Sequence, residues 1–387
     1  MSRLQFRRFS DLAFIQGIDK ERILRPLLEP FSDYFSRHGV DMAALANGNG
    51  VDRKLLAIFT EVDEEMPRQL LDELYMLDDL SDEVGHDRIR TEAEKLGFDF
   101  GGIGGDLSPA EFAIAVYRKD PELIRGCHER TIYRKIKKYV EFQATEDAQL
   151  SLRAAMKKRA QLRNHLGSWF KEHGRSEACG VHVYEEDGEI KFQVTHGKTY
   201  RSEGTIEKDL GLARVAYRPQ KHDSIIYDNR ACVLKVNAQW PAEIEKYRRT
   251  FGEVLFDDAE RFPDGSIYTL DPLKHAGFAI KLVDGVEAAR LIEVCIENDD
   301  EGDGFMQLSK SADILARAYK SGAPNLAAGN TTRAAFLLKY ANGGRARRLE
   351  VRPPNVATYD RERDGAPTER FLSANGFMKL DGGDDHK

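Results

Sequence analysis

The chain has 387 residues, 41% of them hydrophobic and 32% charged, with a formal net charge of −7. That length fits two or three domains of roughly 100–200 residues each, and the negative balance excludes a uniformly cationic polyanion binder while leaving room for a local basic field. No apolar run approaches the ~18 residues of a membrane helix, the first fourteen residues lack the apolar core and cleavage site of a secretory signal, and Cys127, Cys179, Cys232 and Cys295 form no CxxC or Cys/His cluster. A cytoplasmic protein without membrane contact, metal or cofactor is expected.

Residues 10–173 read as helical. SDLAFIQGIDKERILRPLLEPFSDYFSRHG, DRKLLAIFTEV and PRQLLDELYMLDDLSDEV carry apolar residues at three and four spacing. In SPAEFAIAVYRKD, Ser108, Pro109 and Glu111 spell a capped helix start with a capping box. FGGIGGDLSP has no strand before it and no GK[ST] after it, so it reads as a turn rather than a phosphate cradle.

Charge is segregated along this half. Residues 61–100 hold fourteen Asp/Glu against four Lys/Arg, and residues 129–175 hold twelve Lys/Arg against five Asp/Glu. Taken as a helix, HERTIYRKIKKYVEF buries Ile132, Ile136, Tyr139 and Val140 and leaves Arg134, Lys135, Lys137 and Lys138 in water. The following LRAAMKKRAQLRNHLGSWFKEHGR anchors itself by Leu152, Met156, Leu162, Leu166, Trp169 and Phe170 and presents Arg153, Lys157, Lys158, Arg159 and Arg163. Two adjacent cationic helices suit phosphate binding through counterion release. They suit equally a solvated face, or a dock for the acidic block in the same fold or a partner copy.

After Gly174 the texture changes to short strand-like runs divided by turns. GVHVYEEDGEIKFQV and SIIYDNRACVLKV read as hairpins with Asp187-Gly188 and Asp228-Asn229 at their tips. HAGFAIKLVDG, ARLIEVCIEN, RAAFLLKYANGG and RARRLEVR extend a mixed, mostly antiparallel sheet, with helices at PAEIEKYRRTFGEVLF, KSADILARAYKSG and TERFLSANGF. As a strand, RARRLEVR carries Arg345 and Arg347 on one face and Arg348 on the other, which suits an edge or a ligand-facing strand. The fold class expected is α+β: a helical domain over 1–173, an α+β domain rich in hairpins over 174–380, and a frayed tail at 381–387.

Sharper motifs mostly fail. NDDEGDGFMQLSK begins in calcium-loop order but puts Lys310 where the closing carboxylate belongs. RSEACGVH sets Arg175 and His182 across a helix-to-strand boundary, so they form no pair. A metal-dependent phosphodiesterase of the acid-then-acid-x-Lys kind needs carboxylates for Mg²⁺ and a lysine for the attacked phosphate. Asp223 and Lys235 lie across one hairpin, with Val233 where the second carboxylate should stand, and Glu189-Ile190-Lys191 supplies the triplet elsewhere. His222 and Asp223, adjacent on a strand, face apart and make no dyad.

The order of elements, a helical half followed by hairpins, the YRPQKHD segment and a terminal helix, resembles that of bacterial proteins from mobile-element and phage-defence neighbourhoods. The resemblance implies an accessory role in phage defence and assigns no residue. The favoured expectation is a binding protein that engages nucleic acid or a nucleoprotein through Arg134 to Arg163 and Arg345 to Arg348, with no catalytic residues. The alternatives are a phosphodiester-processing enzyme built on Asp223, Lys235, Glu189 and Lys191, and an oligomeric scaffold or sensor joined by its acidic and basic segments.

Overall fold

The computed structural model describes residues 6–45, 50–63, 65–104, 106–134, 136–186, 188–206, 212–298, 305–317, 325–327 and 329–379, with backbone only at 132–134, 206, 212, 298 and 305. Lys135, Asp187, residues 299–304, the C-terminal part of the KSADILARAYKSG segment and residues 381–387 therefore lie outside the described residues. The chain divides into two compact units, Met1–Ile132 and Tyr133–Lys387.

The first unit is helical, with α1 (Leu12–Gln16), a π-helical turn (Lys20–Leu24), α2 (Arg25–Leu28), a 3-10 turn (Glu29–Phe31), α3 (Ser32–Arg37), α4 (Val51–Thr60), α5 (Arg68–Leu80), α6 (Glu83–Lys95), α7 (Pro109–Lys119) and α8 (Pro121–Arg134). The first expected helix is broken into short pieces because Gly17 closes α1 and Pro26 and Pro30, lacking N–H donors, sit at the starts of α2 and the 3-10 turn. Leu55, Phe59, Leu70, Leu74 and Leu77 form the centre of its core. The capping box is present: Glu111 donates its N–H to Ser108 Oγ, and Ser108 N–H donates to Glu111 Oε2 at 2.9 Å. Part of the acidic block is used inside this unit, where Asp78 accepts the N–H groups of Arg7, Arg8 and Phe9, and Arg8 pairs with Asp82.

The second unit contains β1 (Lys138–Gln143), α9 (Leu152–Glu172), β2 (Cys179–Glu186), β3 (Glu189–Gly197), β4 (Arg201–Ile206), β5 (Leu212–Tyr217), β6 (Gln220–Asp228), β7 (Val233–Asn237), α10 (Pro241–Phe256), β8 (Val286–Asn298), β9 (Phe305–Lys310), β10 (Asn330–Tyr340), β11 (Arg347–Arg352), β12 (Val356–Thr358) and α11 (Arg361–Ala374). Ten strands form one antiparallel sheet in the order β2-β3-β6-β7-β1-β12-β11-β10-β8-β9, and β4 and β5 form a separate two-stranded ribbon. The protein is α+β, with helices first and a large antiparallel sheet after.

Five expectations are corrected. The boundary lies at 132/133 rather than near 174, because α9 packs on the sheet and belongs to its unit. Residues 136–140 do not continue a helix: KYVEFQ is β1, whose Val140 and Phe142 face one core while Tyr139 and Glu141 face the other side, and a short apolar run fits either period until its partners decide. HAGFAIKLVDG forms no strand, and of the expected KSADILARAYKSG helix only a 3-10 turn at Leu315–Arg317 falls among the described residues. RARRLEVR is no edge, since β11 lies between β10 and β12.

The sheet is covered on opposite faces at its two ends. On the β2-β3-β6-β7 side, Phe192, Ile225, Tyr227 and Leu234 pack under α9 and α10 through Leu162, Leu166, Tyr247 and Phe251. On the β10-β11 side, Phe336, Leu338, Leu349 and Val351 pack under Phe371 and Leu372 of α11 and under Phe377. Side chains alternate along each strand, so every strand near the middle offers one face to each layer.

Candidate nucleic-acid interface

The expected cations separate into free and tied groups. On α9, Arg153, Lys157, Arg159 and Arg163 are exposed, and none makes an ion pair among the described residues. Arg153 and Lys157 stand one turn apart, as do Arg159 and Arg163, over a span of about 15 Å. Lys158 reaches Asp257 at 3.4 Å. Lys137 pairs with Asp360 at 3.2 Å, and Lys138, exposed, opens β1. Arg347 grips Asp364 through two nitrogens, Arg348 reaches Glu350 at 2.8 Å and Glu293 at 3.2 Å, and Arg345 is exposed. The Arg345–Arg348 group is therefore mostly consumed by neighbours, whereas the α9 group is available.

Ser151 starts α9 by accepting the Ala154 N–H. Ala155, Leu162, Leu166 and Phe170 form the buried stripe; Arg153 and Lys157 lie opposite it, whereas Arg159 and Arg163 flank it, one turn from Ala155 and Leu166. Beside α9 opens a groove of about 800 Å³, lined by Arg163, Asn164, Ser168, Thr195, His196 and Arg218. It ends where a long hairpin leaves the sheet. β3 and β6 pair as far as Gly197 opposite Gln220, the Lys198 N–H donates to Pro219 O at 2.8 Å, and β4 and β5 then pair from Arg201↔Tyr217 to Ile206↔Leu212. Arg218 lies 4.2 Å over the Tyr200 ring and donates to the carbonyls of Gly174 and Lys198, which ties the arm's base to the end of α9.

A buried polar network holds this base. His196 Nε2 lies 2.9 Å from Asp223 Oδ2, which also accepts from Tyr247 OH at 2.8 Å. Lys221 bridges Asp223 at 3.1 Å and Glu243 at 2.7 Å, and Arg175 donates to Glu243. His196, Asp223 and Glu243 approach closely enough for a metal-ligand set, but Lys221 Nζ sits between the two carboxylates and supplies the positive charge an ion would bring. Burial pushes the Cys179 thiol beside it up to about 12, so it is no nucleophile.

Burial alone would raise the Glu243 carboxyl, but the Lys221 ammonium, the Trp240 N–H and Arg175 outweigh it and hold the group below its ordinary value of 4.5. Such a group binds fewer protons folded than unfolded, so its stabilisation is present above that value and is lost as pH falls through the folded one. Glu243→Gln is expected to lower the thermal midpoint at neutral pH, with the gap to the native chain closing as pH falls from about 6 to about 3. A gap that stays constant would show that the charge of Glu243 contributes nothing.

The alternative catalytic set is split by strand register. Lys235 stands opposite Ile226, which puts it on the face carrying Ser224 and Asp228, while Asp223 points to the other face with Ile225 and Tyr227. Asp223 and Lys235 therefore share no site. Glu189, Lys191 and Lys235 do meet, joined by Asp228 in place of Asp223, in a cavity of about 590 Å³ beneath the start of α11. Lys235 Nζ lies 2.8 Å from Glu189 and 2.9 Å from Asp228, and Lys191 Nζ lies 2.8 Å from Glu186. Glu189, Asp228 and Glu186 are thus each occupied by an ammonium where Mg²⁺ would have to sit. Burial, with Asp228 and Glu141 nearby, raises the Glu369 carboxyl above its ordinary value against the pull of Lys235.

His222 and Asp223 face apart as expected, and His222 Nδ1 meets Thr195 Oγ1 at 3.1 Å. Sequence reasoning missed His196, Lys221, Glu243 and Tyr247, which come from three elements and share no local spacing. It also left 198–219 unassigned, where TYRSEG and LARVAY carry no apolar–polar alternation to mark the arm. Neither a protein-family model nor a curated protein sequence matches this chain.

Proposed function

We propose that this protein binds nucleic acid non-catalytically through the exposed face of α9 and the groove and arm beside it, as a cytoplasmic accessory factor in phage defence. The observation that carries the reading is that Arg153, Lys157, Arg159 and Arg163 are exposed together and have no ion-pair partner among the described residues. Unpaired cations along about 15 Å of helix can displace condensed counterions from a phosphate backbone. The four cysteines are free and buried, which suits a reducing compartment, and no described helix is long and apolar enough to cross a membrane.

The test is the salt dependence of binding. With four phosphate contacts on duplex DNA, a plot of log affinity against log salt is expected to slope by about −3.6 or more steeply. Fluorescence anisotropy on a labelled duplex across a salt series measures it. No binding at low salt, or binding indifferent to salt, would overturn the reading.

A further inference from the structure

The α9 face explains attraction to phosphates but not the shape of the groove beside it. Arg163, Asn164 and Ser168 follow one another along one strip of α9 and make a wall of that groove. The segment leading into β2 closes against the same strip at Gly167, where an added Cβ would lie 2.7 Å from the Glu177 carbonyl oxygen. Cys179 and His196, both buried, lie at the bottom. Among the described lining residues the cations are Arg163 and Arg218, and the carboxylate, Glu177, is already held by Lys171 at 2.7 Å. Arg218 uses Nη1 for the Gly174 and Lys198 carbonyls and pairs with no carboxylate among the described residues. The groove is therefore a cationic cleft, too recessed at its floor for the outside of a duplex to reach.

A second observation lies at its rim. Tyr200 belongs to none of the three apolar clusters and is 66% exposed, although the Arg218 guanidinium stands 4.2 Å over one face of its ring. The other face is therefore open to water. An aromatic ring steadied by a cation outside any core, next to a cationic cleft, is a platform for a planar partner. Tyr200 and Arg218 stand at the root of the arm, between the Lys198–Pro219 hydrogen bond and the first β4–β5 pair, Arg201↔Tyr217.

We propose that the groove takes an unpaired nucleic-acid strand, with a base stacked on the open face of Tyr200 and the adjoining phosphates on Arg218 and Arg163. This rests on the nucleic-acid reading above and gives it a substrate class, a duplex with a single-stranded tail. Within a duplex the base faces cover one another, so Tyr200 would meet only sugar and phosphate. An unpaired base offers its π-face, and stacking it on the ring builds three layers: base, tyrosine and guanidinium. Asn164 and Ser168 supply hydrogen-bond donors and acceptors along the wall for base edges or sugars. Such stacking tolerates any base, since every base has a π-face.

The full-length chain is titrated with a blunt DNA duplex and with the same duplex carrying a short unpaired DNA tail, an RNA tail, or an abasic tail that keeps the phosphates and lacks the bases. The native chain is expected to bind a base-bearing tail about tenfold more tightly than the blunt duplex, and the abasic tail is expected to recover little of that gain. A gain from either the DNA or the RNA tail supports the proposal, and the larger of the two identifies the source of the strand. Tyr200→Ala is expected to cost the tailed duplex about tenfold more affinity than the blunt one, whereas Tyr200→Phe, which keeps the ring, binds as the native chain does. Tyr200 is exposed, so neither substitution should move the melting temperature. Ser168→Glu, which sets a carboxylate on the groove wall, is expected to remove the gain from the tail. Equal binding of blunt and tailed duplex, a full gain from the abasic tail, or a gain that survives Tyr200→Ala overturns the groove's role and leaves the α9 reading standing. Absence of binding to all four probes overturns both.

Discussion

Replacing Lys235 by alanine is expected to lower the free energy of unfolding by about 3–5 kcal/mol, the usual cost of removing one partner from a buried ion cluster. Its side chain is only 5% exposed, and its ammonium sits within 3 Å of both Glu189 and Asp228. Those two carboxylates are directly opposed in the β3–β6 register, with Glu141 opposite Lys235 on the other neighbouring strand. Without Lys235 they repel each other in a half-enclosed cavity. Burial works against the charged lysine, but Glu189, Asp228 and Glu141 outweigh it and raise its pKa well above the ordinary value of 10.5. A raised value means the stabilisation is complete at neutral pH and is lost only as pH rises beyond the ordinary lysine range. Urea unfolding at neutral pH measures the effect. A loss under about 1 kcal/mol would show that water or rearranged side chains satisfy the carboxylates, and would reopen the cavity as a cation site.

The second large effect is on binding. Reversing Arg153, Lys157, Arg159 and Arg163 to Glu is expected to weaken retention on duplex DNA at low salt by about a hundredfold or more, because four attractive contacts become repulsive. All four side chains are exposed, Arg153 and Lys157 opposite the buried stripe of Leu162 and Leu166 and Arg159 and Arg163 beside it. Exposed substitutions of this kind usually change stability by about 0.5 kcal/mol or less each, so the variant should melt as the native chain does. The matching reversal of Lys137 and Lys158, each already paired with an aspartate, should cost far less affinity. Equal losses from both sets would assign the attraction to overall charge rather than to this helix face.

What could be read from the sequence was local. Ser108, Pro109 and Glu111 announce α7 because a cap is a matter of four consecutive residues. The β2–β3 and β6–β7 hairpins were legible for the same reason, their turns lying between adjacent runs. β1 was not, because Tyr139 and Val140 satisfy helical and strand periods alike and their partners lie nearly 100 and more than 200 residues away, on β7 and β12. The candidate site shows the same division. The α9 cations follow from one helix and its buried stripe. The Glu189–Lys235 cluster and the His196–Asp223 network depend on register between strands, and a one-residue difference moves every side chain to the other face.

The seam at β1 also governs the order in which the molecule can be assembled. β1 joins the two ends of the sheet through only three residue pairs with β12, from Lys138↔Thr358 to Val140↔Val356. A chain synthesised from its N-terminus can pair β1 with β7 early, yet must hold the other edge of β1 open for more than a hundred residues until β12 emerges. Loop closure over such a distance is slow. For the length of that wait the nascent sheet presents an unpaired strand edge to its surroundings, and the last few dozen residues act as the cap that closes it.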